Sequence, residues 1–152
     1  MSDKRTFFHF QERALGGLWA WGLASMAAGL GMLAVPNRAL RHAGLQALSW
    51  GAIDALLAWL GRRGARRSIA RGAADGPRQA RRFRAILLAN AVLDAGYIAG
   101  GLALIRSARG RPERAGMGVG IVPQGLFLLC YDLLLAWLAG PWARELPEDQ
   151  NV

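Results

Sequence analysis

The chain has 152 residues, 53% of them hydrophobic, with 19 basic against 10 acidic side chains and a net charge of +9. That length holds one domain, and a lone cysteine, Cys130, excludes an internal disulfide and every Cys-based zinc spacing. A pI near 11.5 would suggest nucleic acid in a soluble chain. Here, however, the mean hydropathy of +0.19 averages charge-poor windows with arginine-rich connectors, a pattern of membrane spans with basic loops and no nucleic-acid partner.

The N-terminal segment carries Lys4, Arg5 and Arg13 around Phe7, Phe8 and Phe10, which are expected to form an interfacial turn. The first apolar window, 14–35, is longer than the roughly 7–15 residues of a signal-peptide core and lacks a cleavage site, so it reads as a retained span. Pro36-Asn37 stops it. The second window, 40–61, leads into a basic loop, 62–84, with nine arginines. The third, 85–105, is followed by a connector over 106–115 with Gly110 and Pro112, and the fourth, 116–140, contains Pro123, expected to kink it. At about 1.5 Å per residue each window crosses a hydrocarbon core of about 30 Å, and the interior of each is free of Lys, Arg and Glu. The expected fold is all-α: a four-transmembrane-helix bundle, one membrane domain over 1–152.

Charge gives the orientation. The N-terminal segment, the 62–84 loop and the C-terminal tail hold 13 of the 19 Lys and Arg, which places both termini and that loop in the cytoplasm. Trp19, Trp21, Trp59, Phe83, Trp137 and Trp142 lie toward the same face, where aromatic rings anchor at the headgroups. Of the basic side chains 18 are Arg, a bias of GC-rich bacterial genomes, so the expected location is a bacterial cytoplasmic (inner) membrane. The loop arginines, among them Arg62, Arg63, Arg66, Arg67, Arg81, Arg82 and Arg84, are expected to contact anionic lipid headgroups.

Span 2 contains Asp54-Ala-Leu-Leu-Ala-Trp-Leu60 and span 4 contains Asp132-Leu-Leu-Leu-Ala-Trp-Leu138, identical at six of seven positions. Spans 1 and 3 share the weaker runs Ala28-Gly-Leu-Gly31 and Ala99-Gly-Gly-Leu102. Two copies of a helical hairpin, related about the membrane normal, describe this pattern.

Three aspartates, Asp54, Asp94 and Asp132, lie inside spans, where a carboxyl costs roughly 2.5–3.5 kcal/mol on insertion scales. Asp54 stands about 12 Å along its helix from Arg62 and Asp94 about 15 Å from Arg84, so they share a depth, and the repeat gives Asp132 the same. Small residues flank them: Ala47, Gly51 and Ala58 around Asp54; Gly125, Ala136 and Ala139 around Asp132. Close packing is expected on those faces, turning the carboxyls into the bundle. Gly96-Tyr-Ile-Ala-Gly100 and Gly116-Met-Gly-Val-Gly120 are GxxxG runs that add to the same expectation. Asn90, Asp94 and Tyr97 form an i, i+4, i+7 row, with Gln124 toward the outer half of span 4. Without a base nearby in the spans, desolvation favours neutral, hydrogen-bonded acids. They read either as interhelical glue or as a proton or cation site centred on Asp94 and Asp132.

His9 and His42 fall outside the apolar interior on opposite sides, Asp75 between Gly72 and Gly76 reads as a turn, and Ser25 reads as a packing residue. No catalytic residue, metal site or cofactor is expected, and the chain is not read as an enzyme. Phe10-Gln-Glu12, Trp50-Gly-Ala-Ile-Asp54, Asn90-Ala-Val-Leu-Asp-Ala-Gly-Tyr97 and the run from Gly118 through Pro123, Gln124, Gly125 and Phe127 to Asp132 together resemble an uncharacterised bacterial family, a domain of unknown function. Its members are small four-helix membrane proteins. Relatives often carry Asn where Asp54 stands and Gly-Gly-Phe in place of Gly125-Leu-Phe127. The resemblance implies the fold and a focus on Asp94, Gln124 and Asp132, and no activity. Expected function is that of a structural or binding membrane protein, a homo-oligomer or the subunit of a membrane partner. The alternative is a small proton- or cation-coupled carrier.

Overall fold

The computed structural model describes residues 3–73 and 76–144, so Asp75 and the last residues of the tail lie outside the described residues. Within them are five helices and no strand: α1 (Asp3–Leu33), α2 (Arg38–Ala70), α3 (Gly76–Arg106), α4 (Pro112–Leu138) and the short α5 (Gly140–Arg144). The four long helices are each long and apolar enough to cross a membrane, and the surface agrees. Val92 is 73% exposed and Trp137 72%, with Leu56, Leu57 and Leu93 also open, while Ser25, Asp54, Asp94, Gln124 and Asp132 are buried. Apolar outside and polar inside is the arrangement a lipid solvent selects. The chain is an all-α membrane protein.

Local sequence sets the helix ends. Pro36 closes the first, and the Asn37 side chain caps α2 by accepting from the Leu40 N–H at 3.1 Å. Gly72, at φ +64°, takes the left-handed position that ends α2, where the Ala73 N–H reaches back to the Ser68 carbonyl at 3.0 Å. Pro112 starts α4 at a position whose N–H no helix would use. α4 then runs through Pro123 as one helix.

The connectors are shorter than the sequence suggests. The expected loop 62–84 is helical to Ala70 and again from Gly76, so all its arginines but Arg71 stand on two helical extensions. Apolar content fades at residue 61, but Arg and Ala are good helix formers, and nothing before Gly72 stops the helix. Likewise only residues 107–111 separate α3 from α4.

The sequence-adjacent pairs α1·α2 and α3·α4 pack most extensively, α2 and α4 touch along a further seam, and α5 turns back onto α3. Glycine makes this closeness possible. A Cβ on Gly22 would lie 2.7 Å from the Gly51 carbonyl oxygen, and one on Gly29 2.6 Å from that of Gly44, so both pairs bring backbone against backbone seven residues apart. In the second hairpin Gly118 meets the Gly101 carbonyl and Gly125 packs on Ile98 and the Asp94 carbonyl. Gly116 and Gly120 seat α4 on Ala39 and Ala43 of α2. Gly44 and Gly51 thus correspond to Gly118 and Gly125, 74 positions on, whereas Asp54 corresponds to Asp132, 78 positions on. The two hairpins repeat, with the aspartate motif displaced by one helical turn against the glycine seam.

Three expectations need correction. Gly96 and Gly100 have nothing within 4 Å of a Cβ, so this GxxxG faces outward and packs no helix within the chain. Phe7, Phe8 and Phe83 are not interfacial anchors but buried core, clustered with Ala80, Leu87, Leu135 and Ala139. Phe10 packs against the same cluster and stacks on Trp142 with centroids 4.9 Å apart. The α5 turn supplies that Trp, a fold-back that hydropathy does not register. Trp21 is likewise internal, stacked on Phe127 at 3.7 Å. Trp19, Trp59 and Trp137 do face outward.

Candidate functional site

Asp54 on α2, Asp94 on α3 and Asp132 on α4 are each at most 5% exposed. Small neighbours turn them inward: Ala47, Gly51 and Ala58 beside Asp54, and Gly125, Ala136 and Ala139 beside Asp132, are all buried. The three carboxyls lie close enough to interact electrostatically, Asp94 with each of the others and Asp54 with Asp132. Asn90, one turn before Asp94 on α3, hydrogen-bonds Asp132. Asp54 and Asp94 are less well served. One oxygen of each, Oδ2, is buried without a hydrogen-bond partner, a condition that native interiors rarely leave standing. Each of these oxygens is able to hold a proton or to accept a hydrogen bond.

Asp94 lines a narrow cleft with Trp50, Tyr97, Ile121, Gln124, Gly125 and Leu128, too tight for a water molecule. The rings of Trp50 and Tyr97 meet edge to face at 4.7 Å across it, and Tyr97 is 41% exposed at its rim. The cleft therefore gathers Asp94, Tyr97 and Gln124, while Asn90 and Asp132 join through their own hydrogen bond and Asp54 approaches from α2. Among the described residues no group of three or more His, Cys, Asp or Glu is placed to hold a metal ion, so the aspartates do not converge on one point.

Two interhelical bonds beside the cluster are ones that sequence reasoning missed. Gln124 Oε1 accepts from the Trp21 indole N–H at 2.9 Å. The Tyr131 hydroxyl donates to the Ala14 carbonyl at 2.6 Å, reaching α1 over Gly17, where a Cβ would collide with it. The available signal was the spacing of Phe127 and Tyr131, one turn apart and stacked at 5.3 Å, which makes an aromatic ladder on the α4 face toward Trp21.

The arginines of 62–84 are partly engaged within the chain. Arg62 lies over Trp19 at 5.7 Å and Arg63 over Trp59 at 5.0 Å. Arg66 pairs with Glu12 at 2.6 Å. Arg84 Nε donates to the Ala136 carbonyl at 3.2 Å and Arg81 to that of Ala143 at 3.4 Å, satisfying backbone where α4 ends and α5 turns. Arg67 and Arg82 are exposed.

A family model described as a family of unknown function (DUF6992) matches residues 17–133, and the chain belongs to that family. The match takes in both glycine seams and all three aspartates and stops short of the N-terminal phenylalanines and α5. No curated protein and no solved structure matches the chain.

Proposed function

We propose that this chain is a binding or partner-subunit protein of the bacterial cytoplasmic membrane, with both termini and the 62–84 segment on the cytoplasmic side. In this reading the cluster of Asp54, Asp94 and Asp132 holds the bundle together, and the exposed arginines lie against anionic headgroups. A homo-oligomer or a larger membrane complex is the setting for such a subunit. The observation that carries it is the tightness of the interior. Backbone meets backbone at Gly22/Gly51 and Gly29/Gly44, and the cleft at Asp94 admits no water, so the polar groups serve contacts and not a path.

One observation favours the second reading, a proton- or cation-coupled carrier. The unpartnered Oδ2 of Asp94 lies in a residue that lines a cleft rimmed by an exposed tyrosine. The experiment is reconstitution into liposomes loaded with a pH-sensitive dye. Wild-type protein should leave an imposed proton gradient intact in the presence of sodium, potassium or organic cations. A cation-dependent proton flux that disappears in Asp94→Asn would replace the first reading with the second.

A further inference from the structure

At the end of the bundle opposite the 62–84 segment, the α3–α4 turn carries Arg106, Arg109, Arg111 and Arg114. With Ala103 and Ser107 they line one open pocket of about 610 Å³, inside the range of roughly 300–1,000 Å³ typical of small-molecule sites. Among the described residues none of the four has an ion-pair partner, and the nearby carboxylate, Glu113, is directed to Arg38 of α2 at 3.7 Å. Four like charges around one cavity repel unless an anion joins them. Their placement also runs against the charge bias that orients the chain, which makes them unexplained by topology.

The backbone assists. Arg109 at φ +43° and Gly110 at φ +81° swing the chain sharply from α3 into α4. Arg111 stands at the α4 N-cap without a side-chain cap, and Pro112 has no N–H. The next amides of a 27-residue helix are therefore uncapped beside the pocket, where the positive end of the helix dipole adds to the guanidinium charge.

We propose that this turn is an anion-binding site that takes a phosphate group, a monoester or diester, between the guanidiniums of Arg106, Arg109, Arg111 and Arg114. Planar guanidinium forks match phosphate oxygens two at a time, which a set of lysines would not do. The phosphate comes either from a lipid headgroup of the adjacent leaflet or from a soluble phosphate ester.

Full-length protein in phosphatidylcholine nanodiscs separates these sources. One arm adds phosphatidylglycerol to the nanodisc and counts retained lipid by native mass spectrometry. The other titrates inorganic phosphate and glycerol phosphate by calorimetry. Saturable binding is expected in at least one arm, weakened about tenfold or more when all four arginines become Gln and unchanged in Gly96→Ala, an uncharged substitution in open space on α3. Should the fourfold variant fail to assemble, Arg109→Gln/Arg111→Gln, both outside the helices, must weaken binding in the same direction. No saturable binding in either arm, or binding that these substitutions leave alone, overturns the site.

Discussion

Replacing Gly51 by Ala tests whether the helices are held as closely as the glycine seam implies. The new methyl would lie 2.5 Å from the Gly22 carbonyl oxygen and 2.9 Å from the Met26 nitrogen, whereas ordinary contact begins at 3.4 Å. α1 and α2 must part by about 0.9 Å, and because the obstructing atoms are mostly backbone, no rotamer relieves them. Overpacking of this kind costs about 1–3 kcal/mol, against which Ala gains roughly 0.5–1 kcal/mol over Gly within a helix. Gly96→Ala supplies the control. It has the same helix gain and nothing within 4 Å for its methyl to strike, so it should stabilise. The difference between the two variants isolates the seam at about 1–3 kcal/mol, with Gly51→Ala the less stable. Reversible unfolding in mixed detergent micelles, followed by tryptophan fluorescence, measures both. A Gly51→Ala protein as stable as Gly96→Ala would refute the close approach.

Tyr131→Phe removes the hydroxyl that reaches the Ala14 carbonyl; the same unfolding assay should show a loss of about 0.6 kcal/mol, and no more than roughly 1.7, as for other interhelical bonds in membranes. A stability gain would mean that the bond does not form. At Asp132, Asn should fold with at most a small loss, since an amide can still pair with Asn90, while Leu should destabilise by about 1–3 kcal/mol by stranding that partner; equal effects would remove Asn90 from the cluster. Reporter fusions at the C-terminus and within 107–114 should report opposite compartments, with the C-terminus cytoplasmic; a non-cytoplasmic C-terminus would invert the orientation.

Much of the fold was legible because a bilayer leaves few solutions. Four apolar windows without interior Lys, Arg or Glu could only be spans, and the burial of Asp54 and Asp132 follows from the small residues on their faces. Where the reading failed, composition carried no signal for the deciding interaction. The spacing of Gly96 and Gly100 is the same whether the pair faces a neighbour or lipid, so the motif could not tell its own direction. Phe7 and Phe83 sit at the membrane edge by hydropathy but are core, and Trp142 packs against them because α5 folds back onto α3 after α4 ends. Trp21 and Gln124 sit on helices one and four, and only tertiary packing shows that the indole reaches the amide.

The glycine seams also bear on how the protein is made. Gly22 and Gly29 close against Gly51 and Gly44 within a hairpin whose two helices are joined by residues 34–37 alone, so this half can zip shut as soon as α2 emerges from the ribosome and enters the bilayer. Asp54 is not fully covered at that stage, because α4, which packs against α2, belongs to the half not yet translated. A nascent chain halted before α3 therefore presents a carboxyl to acyl chains or to the insertion machinery, at a cost of roughly 2.5–3.5 kcal/mol on insertion scales. Packing of α4 against α2 takes that carboxyl out of the acyl chains. Truncated chains that end before α3 should therefore be cleared from the membrane faster than full-length ones.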